Sequence, residues 1–139
     1  MESDAAPITL LVVEDDPDLA QILQELLLEE GYGVRVARTG REAFEWLRFN
    51  VPSLIVLDLL IPDIAGWEFD AKRRQDPRLA EVPVVVTSGL PPRVVAARQM
   101  KAVARLAKPY AIDDLLSIVR DHARPAAIYD PTAETVDFC

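Results

Sequence analysis

The sequence predicts an α/β fold, a parallel sheet with helices on both faces, and three observations lead there. Short apolar runs alternate with segments whose apolar residues recur at helical spacing, five of each along 139 residues. Leu54-Ile55-Val56-Leu57 is apolar at every position, the mark of a strand buried on both faces in a parallel sheet. Four of the apolar runs then stop in polar residues, as strands do whose carboxyl ends border a ligand site.

In chain order, Ile8-Thr9-Leu10-Leu11-Val12-Val13 reads as the first strand. Asp16-Pro17 supplies an N-cap followed by proline at the first helical position. Leu19, Ile22, Leu23 and Leu26 form the expected buried stripe of the first helix, and Gly31 is placed to end it. Gly33 to Ala37 is a short second strand, and Thr39 with Glu42 makes a capping box for a helix carrying Ala43, Phe44, Trp46 and Leu47. The third strand ends in Asp58 and precedes a helix over about 65–75. Pro83 to Thr87 is the fourth strand, Pro91-Pro92 opens the fourth helix, and Val103 to Ala107 is a weaker fifth strand interrupted by Arg105. Ile112, Leu115, Leu116 and Val119 share one face of the last helix. Right-handed crossovers between the strands complete the pattern.

Length and composition narrow the functions. One domain fits in 139 residues, and the reading divides it into an N-terminal lead over 1–6, a folded domain over 7–124 and a tail over 125–139. Periodicity fades from Pro125, so the tail is expected to be flexible, with Ile128, Tyr129, Val136 and Phe138 as possible docking points. A net charge of −8 opposes general nucleic-acid binding, and the Lys72-Arg73-Arg74 cluster reads as a solvated helix end. No apolar stretch approaches the roughly 20 residues of a membrane helix. The lone cysteine, Cys139, excludes a disulfide framework or a thiolate metal site, and a cytoplasmic protein is expected.

The parallel sheet would gather the strand ends into one site: Glu14-Asp15-Asp16, Asp58, Thr87-Ser88 and Lys108. Three carboxylates that close together raise at least one pKa unless a cation sits among them. Oxygen ligands without His or Cys favour a hard ion such as Mg²⁺. A hydroxyl and a lysine opposite them suit the oxygens of a phosphoryl group. An ionised Asp58 is already the attacking form at neutral pH, so an aspartyl-phosphate needs no general base.

Val12-Val13-Glu14-Asp15-Asp16, Asp58-Leu59-Leu60-Ile61-Pro62-Asp63-Ile64-Ala65-Gly66, Val86-Thr87-Ser88-Gly89 and Lys108-Pro109, in that order, resemble the receiver domain of bacterial response regulators over about residues 7–124. The resemblance implies a flavodoxin-like (βα)5 sandwich with sheet order 2-1-3-4-5. It implies that Asp58 accepts phosphate from a histidine kinase or a histidine phosphotransfer protein. Asp15 would bind Mg²⁺ directly, Glu14 through water, and the Leu60 backbone carbonyl would join Asp58 as a ligand. Thr87 would contact the phosphoryl group and move with it, Lys108 would pair with it, and the Lys108-Pro109 bond would be cis. Such a protein is a switch rather than an enzyme, catalysing only its own phosphorylation and dephosphorylation. Its helix 4, strand 5 and helix 5 surface would control binding of a downstream protein or a second copy, with no direct nucleic-acid contact and no membrane insertion.

Arg105 departs from the pattern, standing where the family usually has an aromatic ring that swings inward, and so offers a charge at the switch and output position instead. Lys101 is a second departure, where glycine is common. Two other readings are a receiver-like interaction module independent of phosphorylation and an aspartyl-phosphate hydrolase. Hydrolases of the haloacid-dehalogenase type place a second acid two residues after the nucleophile, where this chain has Leu60. Ordinary structural roles are expected for Asp16 as a helix cap, Trp46 and Trp67 as packing residues, His122 as solvent-facing, and Asp63 and Asp70 as surface charges.

Overall fold

A computed structural model describes residues 8–124, so the lead over 1–6 and the tail with its apolar residues lie outside the described residues. Five parallel strands, β1 (Thr9–Val13), β2 (Gly33–Ala37), β3 (Leu54–Asp58), β4 (Val84–Ser88) and β5 (Ala104–Ala107), form one sheet in the order β2-β1-β3-β4-β5. Between and after them run α1 (Pro17–Glu29), α2 (Gly40–Leu47), α3 (Gly66–Arg74), α4 (Pro92–Ala96) and α5 (Ile112–His122). The expected three-layer sandwich is therefore the one observed.

Alternation along the strands builds two apolar layers. Leu11, Val13, Ile55, Leu57 and Val86 face one side, against Ala43 and Leu47 of α2, Phe69 of α3 and Val95 of α4. Leu10, Val12, Leu54, Val56 and Val85 face the other, against Leu23 and Leu27 of α1 and Leu115 and Val119 of α5. Every residue of β3 and β4 is buried, which is why those strands read as unbroken apolar runs. Each fully buried Leu or Val contributes about 1.5–3 kcal/mol.

The helix signals act much as the sequence predicts. The Asp16 side chain accepts from the Asp18 and Leu19 N–H groups, and Gly31 has a φ of 97°, a left-handed conformation that suits glycine. The buried face of α1 is rotated from the expected stripe: Ala20, Leu23 and Leu27 are buried, whereas Ile22 is 46% exposed. A small alanine lets the helix approach the sheet on that side, and periodicity alone gives alanine too little weight. The capping box of α2 forms only in part. Thr39 Oγ1 accepts from the Glu42 N–H at 3.0 Å, but Glu42 accepts from Arg38 N rather than from the cap residue.

The largest correction concerns α3. Asp70 and Arg73 were expected on the surface, yet both have 0% exposure. Arg73 donates to Asp70 Oδ1 from Nε at 3.1 Å and from Nη2 at 2.7 Å. Its Nη1 donates to the carbonyls of Leu79, Ala80 and Val82, and its Nη2 also reaches the Lys101 carbonyl. The second Asp70 oxygen accepts from Arg74 Nε at 2.9 Å and from the Lys101 N–H at 3.1 Å. A buried charge survives only when paired and fully hydrogen-bonded, and here both partners are. The network ties the end of α3 to the segments that lead into β4 and β5.

Candidate functional site at the carboxyl edge of the sheet

The functional side chains stand where the strands end. Glu14 and Asp15 follow β1, and the Glu14 N–H donates to the Ala37 carbonyl at 3.0 Å, holding this turn against β2. Asp58 is the last residue of β3 and pairs in register with Thr87 of β4. Lys108 follows β5, its N–H donates to the Ser88 carbonyl at 2.7 Å, and the Lys108-Pro109 peptide is cis, as the resemblance implied.

Carboxylate oxygens of Glu14, Asp15 and Asp58 lie within 4.8 Å of one another. Lys108 Nζ donates to Glu14 Oε1 at 2.9 Å and to Asp58 Oδ2 at 3.2 Å, while the Leu60 N–H donates to Asp58 Oδ1 at 3.1 Å. Three carboxylates against one ammonium leave negative charge unbalanced, in a site where Glu14 and Asp58 are buried. Burial pushes the Glu14 carboxyl above its ordinary value. Its bond to Lys108 pulls the other way, and the neighbouring Asp58 charge adds to the rise. For Lys108 burial acts downward, but the bond to Glu14 and the charges of Asp58 and Glu14 prevail and raise it. Lys108 Nζ and Glu14 Oε1 stand at salt-bridge distance, 2.9 Å apart. Such a set fits a divalent hard ion: the ligand atoms are all oxygen, mutually repelling and already gathered.

Thr87 Oγ1 is buried and has no hydrogen-bond partner among the described residues. It belongs to the residue directly across from Asp58 in the β3–β4 register. Arg105 is exposed on β5 and borders a cavity of about 180 Å³ with Val86, Leu90, Val95 and Leu106, between α4 and the strands. The structure brings together Glu14, Asp15, Asp58, Thr87 and Lys108, and leaves Arg105 to the side. Tyr110, given no role in the sequence reading, packs in the α1/α5 layer. Its hydroxyl is buried and has no hydrogen-bond partner among the described residues, and burial, then the Glu14 charge, pushes its pKa to about 12. Trp46 and Trp67 pack on the core as expected, the guanidinium of Arg98 stands 4.1 Å from the Trp67 ring centroid, and His122 is exposed.

A doubly wound sheet with an acid cluster, a hydroxyl and a lysine at its carboxyl edge defines the class of phosphoryl-receiving switch domains. The chain matches the response regulator receiver domain over residues 10–120, and it belongs to that family. Phosphorylation-dependent switching is generic to these two-component proteins, which bind Mg²⁺ in an acidic pocket and are not enzymes in the usual sense. Among curated relatives, response regulator Rre1 of Synechocystis sp. is 33% identical over 135 residues, covering 94% of this chain and 58% of the relative. Response regulator MprA of Mycolicibacterium vanbaalenii is 30% identical, covering 93% of this chain and 56% of the relative. The chain thus spans little more than half the length of these relatives. Among solved structures, the signal receiver domain of a signal transduction histidine kinase from Syntrophus aciditrophicus superposes with a TM-score of 0.77 at 30% identity, covering 94% of this chain and 97% of that one. Response regulator protein TrrA from Thermotoga maritima, in complex with Mg²⁺-BeF, gives 0.71 at 26% identity over 82% of this chain and 97% of that one. No described helix is long and apolar enough to cross a membrane.

Proposed function

We propose that residues 7–124 form a receiver unit that takes a phosphoryl group onto Asp58 from a histidine kinase or a histidine phosphotransfer protein in the cytoplasm. The observation that carries this reading is the gathering of Glu14, Asp15 and Asp58 oxygens within 4.8 Å, with Lys108 Nζ 3.2 Å from Asp58. An Asp58 carboxylate oxygen attacks phosphorus, the new O–P bond forms as the donor's N–P bond breaks, and the imidazole leaves with the electron pair. Lys108 offsets charge on the phosphoryl oxygens, and Thr87 Oγ1 donates to one of them. Asp15, Asp58 and the Leu60 carbonyl would hold Mg²⁺ directly and Glu14 through water. The ion, when bound, neutralises the oxygens of the incoming group. Added charge of roughly −1.5 to −2 would then bias the α4, β5 and α5 surface, Arg105 included, toward a downstream protein or a second copy.

Incubating the protein with acetyl phosphate and Mg²⁺ and reading intact mass tests the acceptor. The wild type gains one phosphoryl group and Asp58→Asn gains none; equal labelling of both removes Asp58 from the role. Beryllofluoride with Mg²⁺ should change Trp67 emission, because Arg98 of the segment after α4 lies over that ring. Unchanged emission and unchanged oligomeric state would favour an interaction module independent of phosphorylation.

A further inference from the structure

We infer that Asp63 is the positioning residue of the acidic site: from the tip of the β3–α3 loop its carboxylate grips the start of α2 and thereby sets the Leu60 carbonyl. Asp63 Oδ1 accepts from the Gly40 N–H at 2.8 Å and Oδ2 from the Arg41 N–H at 2.9 Å, the first two residues of α2. Both carboxylate oxygens are thus spent on one helix end, where the backbone dipole favours negative charge. Burial is the largest single influence on the Asp63 carboxyl and acts upward, but the backbone N–H bonds, those of Gly40 and Arg41 first, together outweigh it and hold the group below its ordinary value.

The same loop is closed at its base. The Gly66 N–H donates to the Leu59 carbonyl at 2.9 Å, and Leu60 bridges Ala65 in antiparallel fashion. Gly66 sits so close that a Cβ there would come 2.6 Å from Leu59 Cα. At the tip, Gly40 leaves no room for a Cβ against the Ile64 side chain, so α2 and the loop are in direct contact beside the Asp63 bonds. Leu60 belongs to the base bridge, its N–H already on Asp58 Oδ1, and the chain from its carbonyl runs on to the Asp63 tip. A loop fixed at base and tip presents the carbonyl between them in one place. Freed at the tip, it presents a spread of positions, and a cation that demands near-ideal octahedral geometry binds a spread poorly.

The inference rests on the proposed role of the Leu60 carbonyl as a Mg²⁺ ligand. It does not need phosphorylation. Asp63 acts through the loop and touches neither the ion nor the phosphoryl group.

Calorimetric titration of the full chain with MgCl₂ tests it, using Asp63→Ala, Asp63→Asn and Thr39→Ala. Thr39 caps the same helix end through the Glu42 N–H but has no bond to the loop, so it controls for simple loosening of α2. Asp63→Ala should weaken Mg²⁺ binding about 10-fold, the low end of what supporting partners of metal ligands contribute. Asp63→Asn keeps one acceptor oxygen and should fall between. Thr39→Ala should stay within about twofold of wild type, and amide exchange at Leu60 should quicken in Asp63→Ala but not in Thr39→Ala. Asp63→Ala binding like wild type overturns the inference, as does equal weakening by Thr39→Ala. A wild type that gives no Mg²⁺ binding overturns the metal reading itself and this inference with it.

Discussion

Replacing Asp70 by alanine strands the Arg73 guanidinium in a site with 0% exposure, and the structure sets the size of the penalty. Breaking a buried pair by removing one partner costs about 3–5 kcal/mol, because the remaining charge has neither water nor counterion. Arg73 loses two bonds to Asp70, and the Lys101 N–H and Arg74 Nε lose their acceptor. Against a total stability of about 5–15 kcal/mol this is a large fraction. For a folded unit of this size it lowers Tm by roughly 10–20 °C. Arg73→Met acts by another route: the carbonyls of Leu79, Ala80, Val82 and Lys101 lose a donor, at about 1 kcal/mol each. Asp70 then keeps Arg74 and the Lys101 N–H. The double variant buries neither charge, so its loss should fall short of the summed single losses by about 2 kcal/mol or more. Urea unfolding followed by tryptophan emission and circular dichroism gives all three values. Single losses below about 1 kcal/mol, or additivity within about 0.5 kcal/mol, would refute a buried charge pair as the reason α3 packs here.

Gly66→Ala should cost about 2 kcal/mol in the same assay, because its Cβ would meet the Leu59 backbone at 2.6 Å and the Asp58 carbonyl at 3.1 Å. A neutral result would show that the β3–α3 loop moves aside easily. Tyr110 should ionise near 12 in the folded protein, visible as a delayed ultraviolet step absent from Tyr110→Phe. Its folded pKa is raised, so its contribution is whole below about pH 10, where the unfolded chain begins to ionise, and is lost as pH rises toward 12. Tyr110→Phe should therefore flatten the alkaline fall in stability, and an unchanged slope would count against it.

The strand–helix alternation and the gathering of Glu14, Asp15, Asp58, Thr87 and Lys108 were legible because each signal is local, whereas the sheet order came from the resemblance to receiver domains. An apolar run, a polar residue at its end and a proline at a helix start lie within a few residues of one another. Parallel topology then brings the strand ends together without further information. The errors fall where local pattern and burial part company. Asp70 and Arg73 are spaced i,i+3, an ordinary surface pairing, and nothing nearby reveals that Arg73 reaches carbonyls as far off as Lys101. In a helix as polar as Gly-Trp-Glu-Phe-Asp-Ala-Lys-Arg-Arg, the paired charges complete a buried face that Trp67 and Phe69 only begin. Asp63 stays partly in solvent as a surface charge would, but its partners belong to a helix that starts 23 residues earlier. Nor does a sequence show that the Tyr110 hydroxyl is buried without a partner among the described residues.

The two outermost strands carry a consequence of another kind. Among the described residues, β2 and β5 each offer one row of backbone amides and carbonyls that no further strand covers. Such rows invite a strand from another molecule, and fibrous aggregation begins that way. Both strands have an exposed arginine near the middle, Arg35 in β2 and Arg105 in β5. A second copy adding a strand like edge to like edge would set one guanidinium against another, a like-charge contact that opposes such pairing. Replacing Arg105 by tyrosine or valine should remove that repulsion from the β5 edge and show first as turbidity in a concentrated, warmed sample.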